Sequence, residues 1–352
     1  MPYVAETLVA QIDAESGSPE TIALAGDIIR QGGLVAFPTE TVYGLGANAF
    51  DAAAVNRFFE AKQRPANDPI IVHIAIPEDI FSIARDVPDI AAQLAQVFWP
   101  GPLTLILKKH DAIPSNVTAN QDTVAVRIPD HPVALSLLRT AGVPIGAPSA
   151  NRFSRPSPTR AEHVLTDLAG SIDVVLDSGS TPIGVESTII DLTSPTPRLL
   201  RPGGTSLERL REYLPEIDYE PKYIADNQSA PAPGTLLKHY APHAQVTLYD
   251  GERQATIEHM HTIAMTDIAN GNKVGLLLSD EDIGHFEDLN VEIATLGDSE
   301  STTAARLYQA LRELDAAHVD VIFARAPHST GLGLAIRDRL IRAAEGHVVT
   351  VE

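Results

Sequence analysis

The chain has 352 residues, no cysteine and a formal net charge of −20 at pH 7. The lack of cysteine excludes disulfides, thiolate metal sites and a cysteine nucleophile, and the acidity argues against a protein that coats nucleic acid. A chain of this length with 44% hydrophobic residues can bury two cores, so we expect two domains. No signal peptide and no apolar run of membrane-spanning length is visible, so we expect a soluble cytoplasmic protein without membrane contact.

The first elements in chain order alternate between helix and strand. Ser18 as N-cap with Pro19 behind it begins a helix that ends at the Gly32-Gly33 pair, and residues 34–37 form a buried strand. Asp51 caps the next helix, and Thr159 has capping-box spacing to the acid three residues on. Further strands are expected over residues 70–74, 103–107, 123–127, 144–147, 174–177 and 188–191. This order predicts an α/β domain over residues 1–214, built on a twisted mixed sheet with helices.

The residue composition and periodicity of the chain change after residue 214. Residues 215–245 lack periodicity and contain the run SAPAPG, which predicts a long linker. Strands over 246–249, 274–278 and 319–324 then alternate with helices over 256–269, 302–317 and 334–344. Residues 246–352 are therefore predicted to form a small, doubly wound, Rossmann-like domain.

The segment GLVAFPTETVYGLG, residues 33–46, joins a buried strand to a cluster of polar side chains. Ligands of α/β sheets bind at strand ends, so this segment is expected to face a cleft. Its Gly44-Leu-Gly46 matches a dinucleotide-binding pattern, but it lies too far from the strand for a tight turn, and we discount it. We also discount His239 and His243 as a metal pair, because Pro242 would break the helix needed to align them.

Three positions near the following strands carry charge or a ring nitrogen. Lys62 and Arg64, beside prolines, can clamp a phosphate, or can simply complement the C-terminal dipole of a helix. His73 lies within an apolar strand, where a lone histidine is more often a satisfied core residue than a ligand contact. Arg127 ends a buried strand and needs an anionic partner, either an internal acid or a bound carboxylate.

Two more segments bring polar groups next to strands. Residues 148–157, PSANRFSRPS, combine hydroxyls, an amide and a following helix N-terminus, which suits oxyanion binding but is also a common loop composition. Residues 184–188, GVEST, and 198–204, RLLRPGG, form another such cluster.

Taken together, these segments resemble the YrdC-like family of threonylcarbamoyl-adenylate synthases. The shared motifs, in the family's order, are FPTETVYGLG, KQRP followed by IVHI, WPGPLT, TVAVRIP, PIGAPSAN, RPSPT, GVESTIID and LLRPGG. The later APG and KHYAP, residues 232–234 and 238–242, resemble the long form that has an additional C-terminal domain. The ordered set covers nearly the whole chain and is specific, although each motif alone is weak.

The resemblance implies an enzyme, a nucleotidyltransferase that makes L-threonylcarbamoyl-AMP and pyrophosphate from L-threonine, bicarbonate and ATP with Mg²⁺. A downstream tRNA threonylcarbamoyl transferase complex would then modify the adenosine next to the anticodon, with at most weak or indirect contact between this chain and tRNA. No residue is required as a nucleophile, so catalysis is expected to rest on positioning and charge. The linker, residues 215–245, is a candidate lid over the nucleotide.

By the same resemblance, the site residues fall into two groups. L-Threonine would be held by Thr41, His73, Arg127, the backbone at Ala147, and Ser187. ATP would be held by Lys62, Arg64, Asp68, Thr123, Ser149, Asn151, Ser157, Arg201 and Tyr240, with Lys62 and Arg64 positioning the phosphates. The family usually has Asn where this chain has Asp68, which raises the question whether Asp68 helps to hold Mg²⁺.

Other functions are left open by the sequence. YrdC-like domains have been suspected of binding double-stranded RNA, although the acidity of this chain weighs against that as its main function. A carbamoyl transferase of the hydrogenase-maturation type carries a related domain, but its acylphosphatase and zinc-finger segments are missing here. The C-terminal domain could also be a regulator or an interaction platform, because its sequence shows no catalytic constellation.

Overall fold

The computed structural model describes residues 6–14, 18–65, 67–224 and 230–352. The chain divides into two compact units, of which the first comprises residues 1–153 and 157–235 and the second residues 154–156 and 236–352. The boundary near residue 235 falls within the predicted linker, of which residues 225–229 lie outside the described residues. The domain limits at residues 214 and 245 stay predictions.

The first unit is built from short strands and amphipathic helices. Its described helices are α1 (Pro19–Arg30), α2 (Ala52–Lys62), α3 (Ile80–Ile83), α4 (Asp89–Phe98), α5 (Pro132–Ala141), α6 (Ala161–Leu168) and α7 (Leu207–Arg211). Its described strands are β1 (Leu8–Gln11), β2 (Val35–Phe37), β3 (Gly44–Asn48), β4 (Ile71–His73), β5 (Ala84–Arg85), β6 (Leu103–Lys109), β7 (Thr123–Arg127), β8 (Ile145–Gly146), β9 (Val174–Asp177), β10 (Thr188–Asp191) and β11 (Arg198–Arg201).

These strands form one mixed sheet in the order β1-β9-β2-β3-β8-β4-β7-β6-β10-β11, with β5 paired to β6. The β2–β3 pair is antiparallel and the β4–β7 pair is parallel, so the predicted mixed α/β class is confirmed. On one face of the sheet, α1 and α5 bury Ile22, Ile29 and Leu137 against Val35 and Phe37. The burial of these apolar side chains is the main term that stabilises this face.

The helix starts test the capping predictions. Asp51 caps α2 as expected, since its carboxylate accepts from the backbone nitrogens of Ala53 and Ala54 at 2.8 and 3.2 Å. The capping box at Thr159 is wrong, because α6 begins one residue later with Arg160 as N-cap and without a side-chain cap. The Thr159 backbone N–H instead donates to His163 Nδ1 at 3.2 Å. Strand β1 and helix α4, which the sequence analysis did not predict, are also present.

The second unit is a parallel α/β sandwich. Its elements are β12 (Gln245–Gly251), α8 (Arg253–Ala269), β13 (Val274–Leu278), β14 (Glu292–Thr295), α9 (Glu300–Ala316), β15 (Val321–Arg325), α10 (Gly331–Ala343) and β16 (Val348–Val351). The sheet order is β14-β13-β15-β12-β16, and every recorded pair is parallel. This arrangement confirms the predicted Rossmann-like fold and adds two four-residue edge strands, β14 and β16, that the sequence analysis did not predict. Within the described ranges of the chain, no helix has the length and apolar character that a membrane span requires.

Candidate active site

The centre of the candidate site is Arg127, the last residue of β7. The parallel register of β4 and β7 puts it beside His73, and its Nε donates to His73 Nε2 at 3.2 Å. Its Nη2 donates to Glu40 Oε2 at 3.1 Å and to Thr41 Oγ1 at 3.3 Å. The side chain is 3% exposed, and its Nη1 donates no hydrogen bond to a described residue. A buried guanidinium with an unused N–H edge is well suited to receive a carboxylate.

Glu40 is the internal acid that Arg127 was expected to need. Burial raises the pKa of Glu40, while the positive charge of Arg127 and nearby backbone N–H groups oppose that rise. The second oxygen, Oε1, is buried and has no hydrogen-bond partner at proper geometry among the described residues. Arg127 can therefore pair with the internal acid Glu40 and still receive a bound carboxylate. The internal pair uses Arg127 Nη2 and Glu40 Oε2, and it leaves Arg127 Nη1 and Glu40 Oε1 without hydrogen bonds to described residues.

His73 is a neutral acceptor in this cluster. Its pKa lies well below the ordinary value, because burial disfavours the imidazolium and the adjacent Arg127 repels it. Since Nε2 accepts from Arg127, the ring proton belongs on Nδ1. His73 thus orients the guanidinium, and the edge of its ring packs against Phe37 at a centroid distance of 6.2 Å.

The loop after β2 is held in shape by its own hydroxyls. Thr39 Oγ1 donates to the Val42 carbonyl at 2.6 Å and lies 2.8 Å from Thr41 Oγ1. The Tyr43 hydroxyl donates to the Gly179 carbonyl at 2.7 Å, so this side chain fixes the loop. These bonds present Glu40 and Thr41 to Arg127.

Ser187 and Ala147, the other predicted threonine contacts, are buried but do not bond to Arg127. Ser187 Oγ lies 2.8 Å from Thr104 Oγ1 and accepts from Arg201 Nη2 at 3.2 Å. The Ala147 backbone N–H already donates to the Ile71 carbonyl at 2.9 Å. Of the five predicted threonine contacts, Thr41, His73 and Arg127 are thus connected directly by hydrogen bonds.

A second cluster gathers cations around Asp68. Burial raises the pKa of Asp68, and the positive charges of Arg64, Arg201 and Lys62 partly offset this. Asp68 Oδ2 lies 2.8 Å from Arg64 Nη2, with the acid side chain 0% exposed. Three cations and one acid leave a local positive charge that can receive a polyphosphate.

Backbone carbonyls hold these cations in place. Lys62 Nζ donates to the carbonyls of Ser149 and Asn151, and Arg64 Nη2 donates to that of Pro69 at 2.7 Å. Arg201 Nη2 donates to the Ser187 carbonyl at 2.8 Å. The loop that contains Ser149 and Asn151 is therefore tied to the end of α2, as its predicted role in anion binding requires.

Ser157 is also placed in the first unit. Its hydroxyl donates to Glu186 Oε1 at 2.6 Å, and both residues are buried. Glu186 was not singled out as a site residue by the sequence. It lies next to Ser187 in the chain, so this bond connects the RPSPT and GVEST segments.

Two predicted ATP contacts, Thr123 and Tyr240, are not members of the two clusters described above. Thr123 begins β7, about 13 Å along the strand from Arg127. It lines a cavity of about 190 Å³ together with Gln121, Arg198 and Lys222. Tyr240 belongs to the second unit, where its ring lies 5.4 Å from that of Tyr308.

Within the described residues, no group of three or more His, Asp or Glu side chains could hold a metal ion. Asp68 is the acid predicted as a possible magnesium ligand, and its recorded ionic partner is Arg64. A Mg²⁺ ion usually takes one or two carboxylates and fills its shell with phosphate oxygens and water. The residues present therefore fit a Mg²⁺ that arrives with the nucleotide better than a metal held by protein side chains.

The fold and the site together define a mixed α/β protein, with a buried arginine that has an unused N–H edge and a cluster of buried cations in one unit. Two family models match the chain. One, described as "Telomere recombination", matches residues 27–203, and the other, described as "Threonylcarbamoyl-AMP synthase, C-terminal domain", matches residues 205–345.

Individual relatives agree with these matches. The chain is 46% identical to a threonylcarbamoyl-AMP synthase from Pyrococcus abyssi, over 94% of this chain and 96% of that protein. It is 43% identical to one from Bacillus subtilis, over 96% of each chain. A crystal structure of P. abyssi Sua5 in complex with L-threonine superposes with a TM-score of 0.93, at 43% identity over 98% of this chain and 100% of that one. The chain belongs to the threonylcarbamoyl-AMP synthase family, in its two-domain form.

Proposed function

We propose that this chain synthesises L-threonylcarbamoyl-AMP from L-threonine, bicarbonate and ATP, with release of pyrophosphate. The observation that carries the proposal is the buried Arg127, whose Nη1 donates to no described residue and can receive the carboxylate of an amino acid. The close relatives that bear the name of this activity support the same conclusion.

Threonine recognition is proposed to begin with its carboxylate on Arg127. His73 and Thr41 hold the guanidinium in place at 3.2 and 3.3 Å, so little rearrangement is needed on binding. Ser187 and the backbone at Ala147 would complete the threonine pocket. One methyl group separates threonine from serine, and such a group is worth about 1–3 kcal/mol in a fitted pocket.

ATP recognition is proposed to use the cations around Asp68. Lys62, Arg64 and Arg201 would exchange carbonyl contacts for phosphate oxygens, and Ser149, Asn151 and Ser157 would add polar contacts. Thr123 and Tyr240 are proposed to complete the ATP site. The positive field of the cations stabilises the charge that develops on the departing pyrophosphate.

The reaction then needs positioning rather than a protein nucleophile. An oxygen of the threonine carbamate attacks the α-phosphorus, the bond from that phosphorus to the bridging oxygen breaks, and pyrophosphate leaves. Mg²⁺, entering with ATP, would neutralise part of the triphosphate charge. Because the carbamate is labile, water must be kept out, and residues 215–245 are proposed to act as the lid.

The product is proposed to pass in the cytoplasm to a tRNA threonylcarbamoyl transferase complex. The chain itself carries a net charge of −20, which disfavours extensive contact with tRNA phosphates. Any tRNA contact is therefore proposed to be weak or indirect, and no membrane contact is proposed.

The decisive experiment measures pyrophosphate release with each substrate left out in turn. The proposal predicts that omission of threonine, bicarbonate or ATP each abolishes release. Release that persists without threonine or without bicarbonate would contradict the proposed reaction. Replacing Tyr240 by Ala tests the lid, and an unchanged KM for ATP would count against a nucleotide contact there.

A further inference from the structure

Only one of the two carboxylate oxygens of Glu40 takes part in its ion pair with Arg127. Its Oε2 pairs with Arg127 Nη2 at 3.1 Å, but its buried Oε1 has no hydrogen-bond partner at proper geometry among the described residues. The side chain is 6% exposed, and the Glu40 carbonyl is fixed by the Ile183 N–H at 2.9 Å. The backbone N–H groups of Glu40 and Asp130 act on the carboxylate, but no described donor meets Oε1 at hydrogen-bond geometry, so a proton supplied there by a ligand would be stabilising.

The proposed function requires a proton acceptor that has not yet been assigned. At neutral pH the amino group of threonine is an ammonium ion, which has no lone pair for attack on bicarbonate. Ammonium and bicarbonate together give a carbamate, one water and one proton. That proton must leave the nitrogen before the new carbon–nitrogen bond can form.

We propose that Glu40 Oε1 takes this proton, as the general base of the carboxylation step. This assignment rests on the proposed function. The N–H bond breaks and the proton moves to Oε1, and the freed lone pair forms the bond to the carbon of bicarbonate. The hydroxide that leaves this carbon takes a second proton from nitrogen and becomes water. Glu40 is left protonated, and it returns the proton to solvent after the product leaves.

The position of Arg127 places the ammonium beside Glu40. The amino nitrogen of an α-amino acid is attached to the carbon next to its carboxylate. A carboxylate received by Arg127 therefore brings the ammonium close to whatever else contacts Arg127. Glu40 is the one acid that pairs with Arg127 among the described residues.

Neighbouring groups are less suited to the task. The Nε2 lone pair of His73 is used by Arg127, and its Nδ1 carries the ring proton. Glu186 accepts the Ser157 hydroxyl at 2.6 Å, and Asp68 pairs with Arg64 at 2.8 Å. Neither of these acids pairs with Arg127 among the described residues, whereas Glu40 does.

The electrostatics around Glu40 suit a proton acceptor. Burial raises the pKa of Glu40 and the charge of Asp130 adds to the rise, while the charge of Arg127 and nearby backbone N–H groups oppose it. When threonine binds, its carboxylate on Arg127 adds a negative charge near Glu40 and its ammonium adds a positive one. A raised pKa brings a carboxylate closer to the working pH, which favours general base catalysis.

The test uses the full-length protein and the variant E40Q, which keeps the shape of the side chain. Calorimetry gives the threonine Kd without ATP, and pyrophosphate release gives kcat between about pH 6.5 and 9. Loss of the base should lower kcat by about 10²- to 10⁴-fold and leave the threonine Kd unchanged. The kcat defect should shrink by about tenfold per pH unit, because solution then supplies the free amine.

A purely structural role gives a different result. If Glu40 only neutralises Arg127, E40Q changes threonine binding and its kcat defect stays the same at every pH. Either that pattern or unchanged turnover overturns the assignment. If E40Q does not fold, E40D serves as the test. Its shorter side chain moves the carboxylate away from the ammonium, so kcat should fall by at least about tenfold. Full turnover of E40D would equally overturn it.

The controls separate this inference from the proposed function. E208Q changes an exposed glutamate on α7 and should behave as wild type. If wild type and E208Q release no pyrophosphate with all three substrates, the proposed function fails. If both are active and E40Q shows the counter-ion pattern, only the assignment of Glu40 fails.

Discussion

Two buried ion-pair clusters, one in each unit, use the same chemistry in opposite ways. In the first unit Glu40 meets Arg127 through one oxygen and keeps the other free of hydrogen bonds among the described residues. In the second unit Asp338 meets Arg342 through both oxygens, at 3.0 Å each, and also Arg339 at 2.6 Å. One cluster can accept a ligand and the other is saturated.

The pKa values of the two acids separate in the same way. Burial raises the pKa of both acids. At Asp338 the combined attraction of Arg342 and Arg339 outweighs the effect of burial, so its pKa falls. At Glu40 the single arginine does not outweigh burial, and the pKa rises. A saturated cluster is thus suited to stability, whereas the unsaturated cluster has the groups that the proposed threonine binding and proton transfer require.

The saturated cluster also fixes the end of the predicted linker. Arg342 Nη1 donates to the Leu236 carbonyl at 2.7 Å. The guanidinium carbon of Arg339 lies 5.3 Å from the centre of the Tyr240 ring. Helix α10 therefore holds the segment that carries Tyr240 within the second unit.

The largest expected effect comes from breaking the saturated cluster. The change Asp338→Ala leaves two buried guanidinium groups without their acid and should cost about 3–5 kcal/mol in the stability of the second unit. Urea denaturation followed by circular dichroism measures it. The exposed Asp298→Ala is the matched control and should change stability little. A D338A protein as stable as wild type would remove the distinction between the clusters.

Arg127→Lys tests the unsaturated cluster. Lysine keeps the charge but loses the planar fork, so we expect threonine affinity to fall by about 10²-fold, or about 3 kcal/mol. Calorimetric titration with threonine measures the change. The exposed Arg211→Lys should bind as wild type does. Unchanged threonine affinity in R127K would show that the carboxylate binds elsewhere.

The pH dependence of stability should have opposite signs at the two acids. A lowered folded-state pKa, as at Asp338, stabilises the fold above the unfolded pKa, and this contribution is lost as acid protonates the folded state. A raised folded-state pKa, as at Glu40, makes the folded state bind more protons, so stability increases as pH falls towards the unfolded value of 4.5.

Each contribution has a slope of at most about 1.4 kcal/mol per pH unit. Urea midpoints of wild type from pH 7 downward, compared with those of E40Q and D338N, give the separate contributions of Glu40 and Asp338 to stability. His73, Arg127 and Asp130 also surround Glu40, so the difference between wild type and E40Q is the informative quantity. The stability contributed by each acid is the difference between wild type and its variant. If the contributions of Glu40 and Asp338 changed with pH in the same direction, the prediction would be contradicted.

Asp68→Asn should have the smallest effect. The acid lies among Arg64, Arg201 and Lys62, so its removal increases the local positive charge. We expect a lower KM for ATP, by less than about tenfold, and an unchanged dependence of turnover on Mg²⁺. A weaker Mg²⁺ dependence in D68N would instead identify Asp68 as a magnesium ligand.

The fold was predictable where the pattern of apolar residues is strong. The runs that became β4, β6, β7, β10 and β13 are short, apolar and bounded by turn residues, and each was assigned correctly. Strands β1, β14 and β16 were missed. They are edge strands of four residues each, with at most one buried residue. The glycine-rich β3 was missed because strand propensity argues against it.

Glycine in β3 has a packing reason that the sequence alone did not reveal. A Cβ on Gly46 would lie 2.8 Å from Ile145 Cγ2 and 2.9 Å from Phe37 Cε1. The space next to this glycine is therefore filled by protein side chains. Close packing within the sheet therefore accounts for the glycine at position 46.

The candidate site was predictable in its residue types but not in its pairings. Arg127 was known to need an anion, and Glu40 stands in the same PTET segment as Thr41, yet their contact depends on how the strands align. Glu186, Thr104 and Thr39 were missed as partners of Ser157, Ser187 and Thr41. Pairings of this kind follow from register and tertiary packing, which local patterns do not encode.

The pairing of β4 with β7 also has a consequence for how the chain folds. His73 lies 54 positions from its partner Arg127, and Glu40 lies 87 positions from it. Contacts so distant in sequence close only after the intervening chain has collapsed, so they belong to the slow phase of folding. A nascent chain that has not yet delivered β7 lacks Arg127, the residue proposed to receive the threonine carboxylate. Recovery of threonine affinity after refolding would therefore report the closing of the sheet.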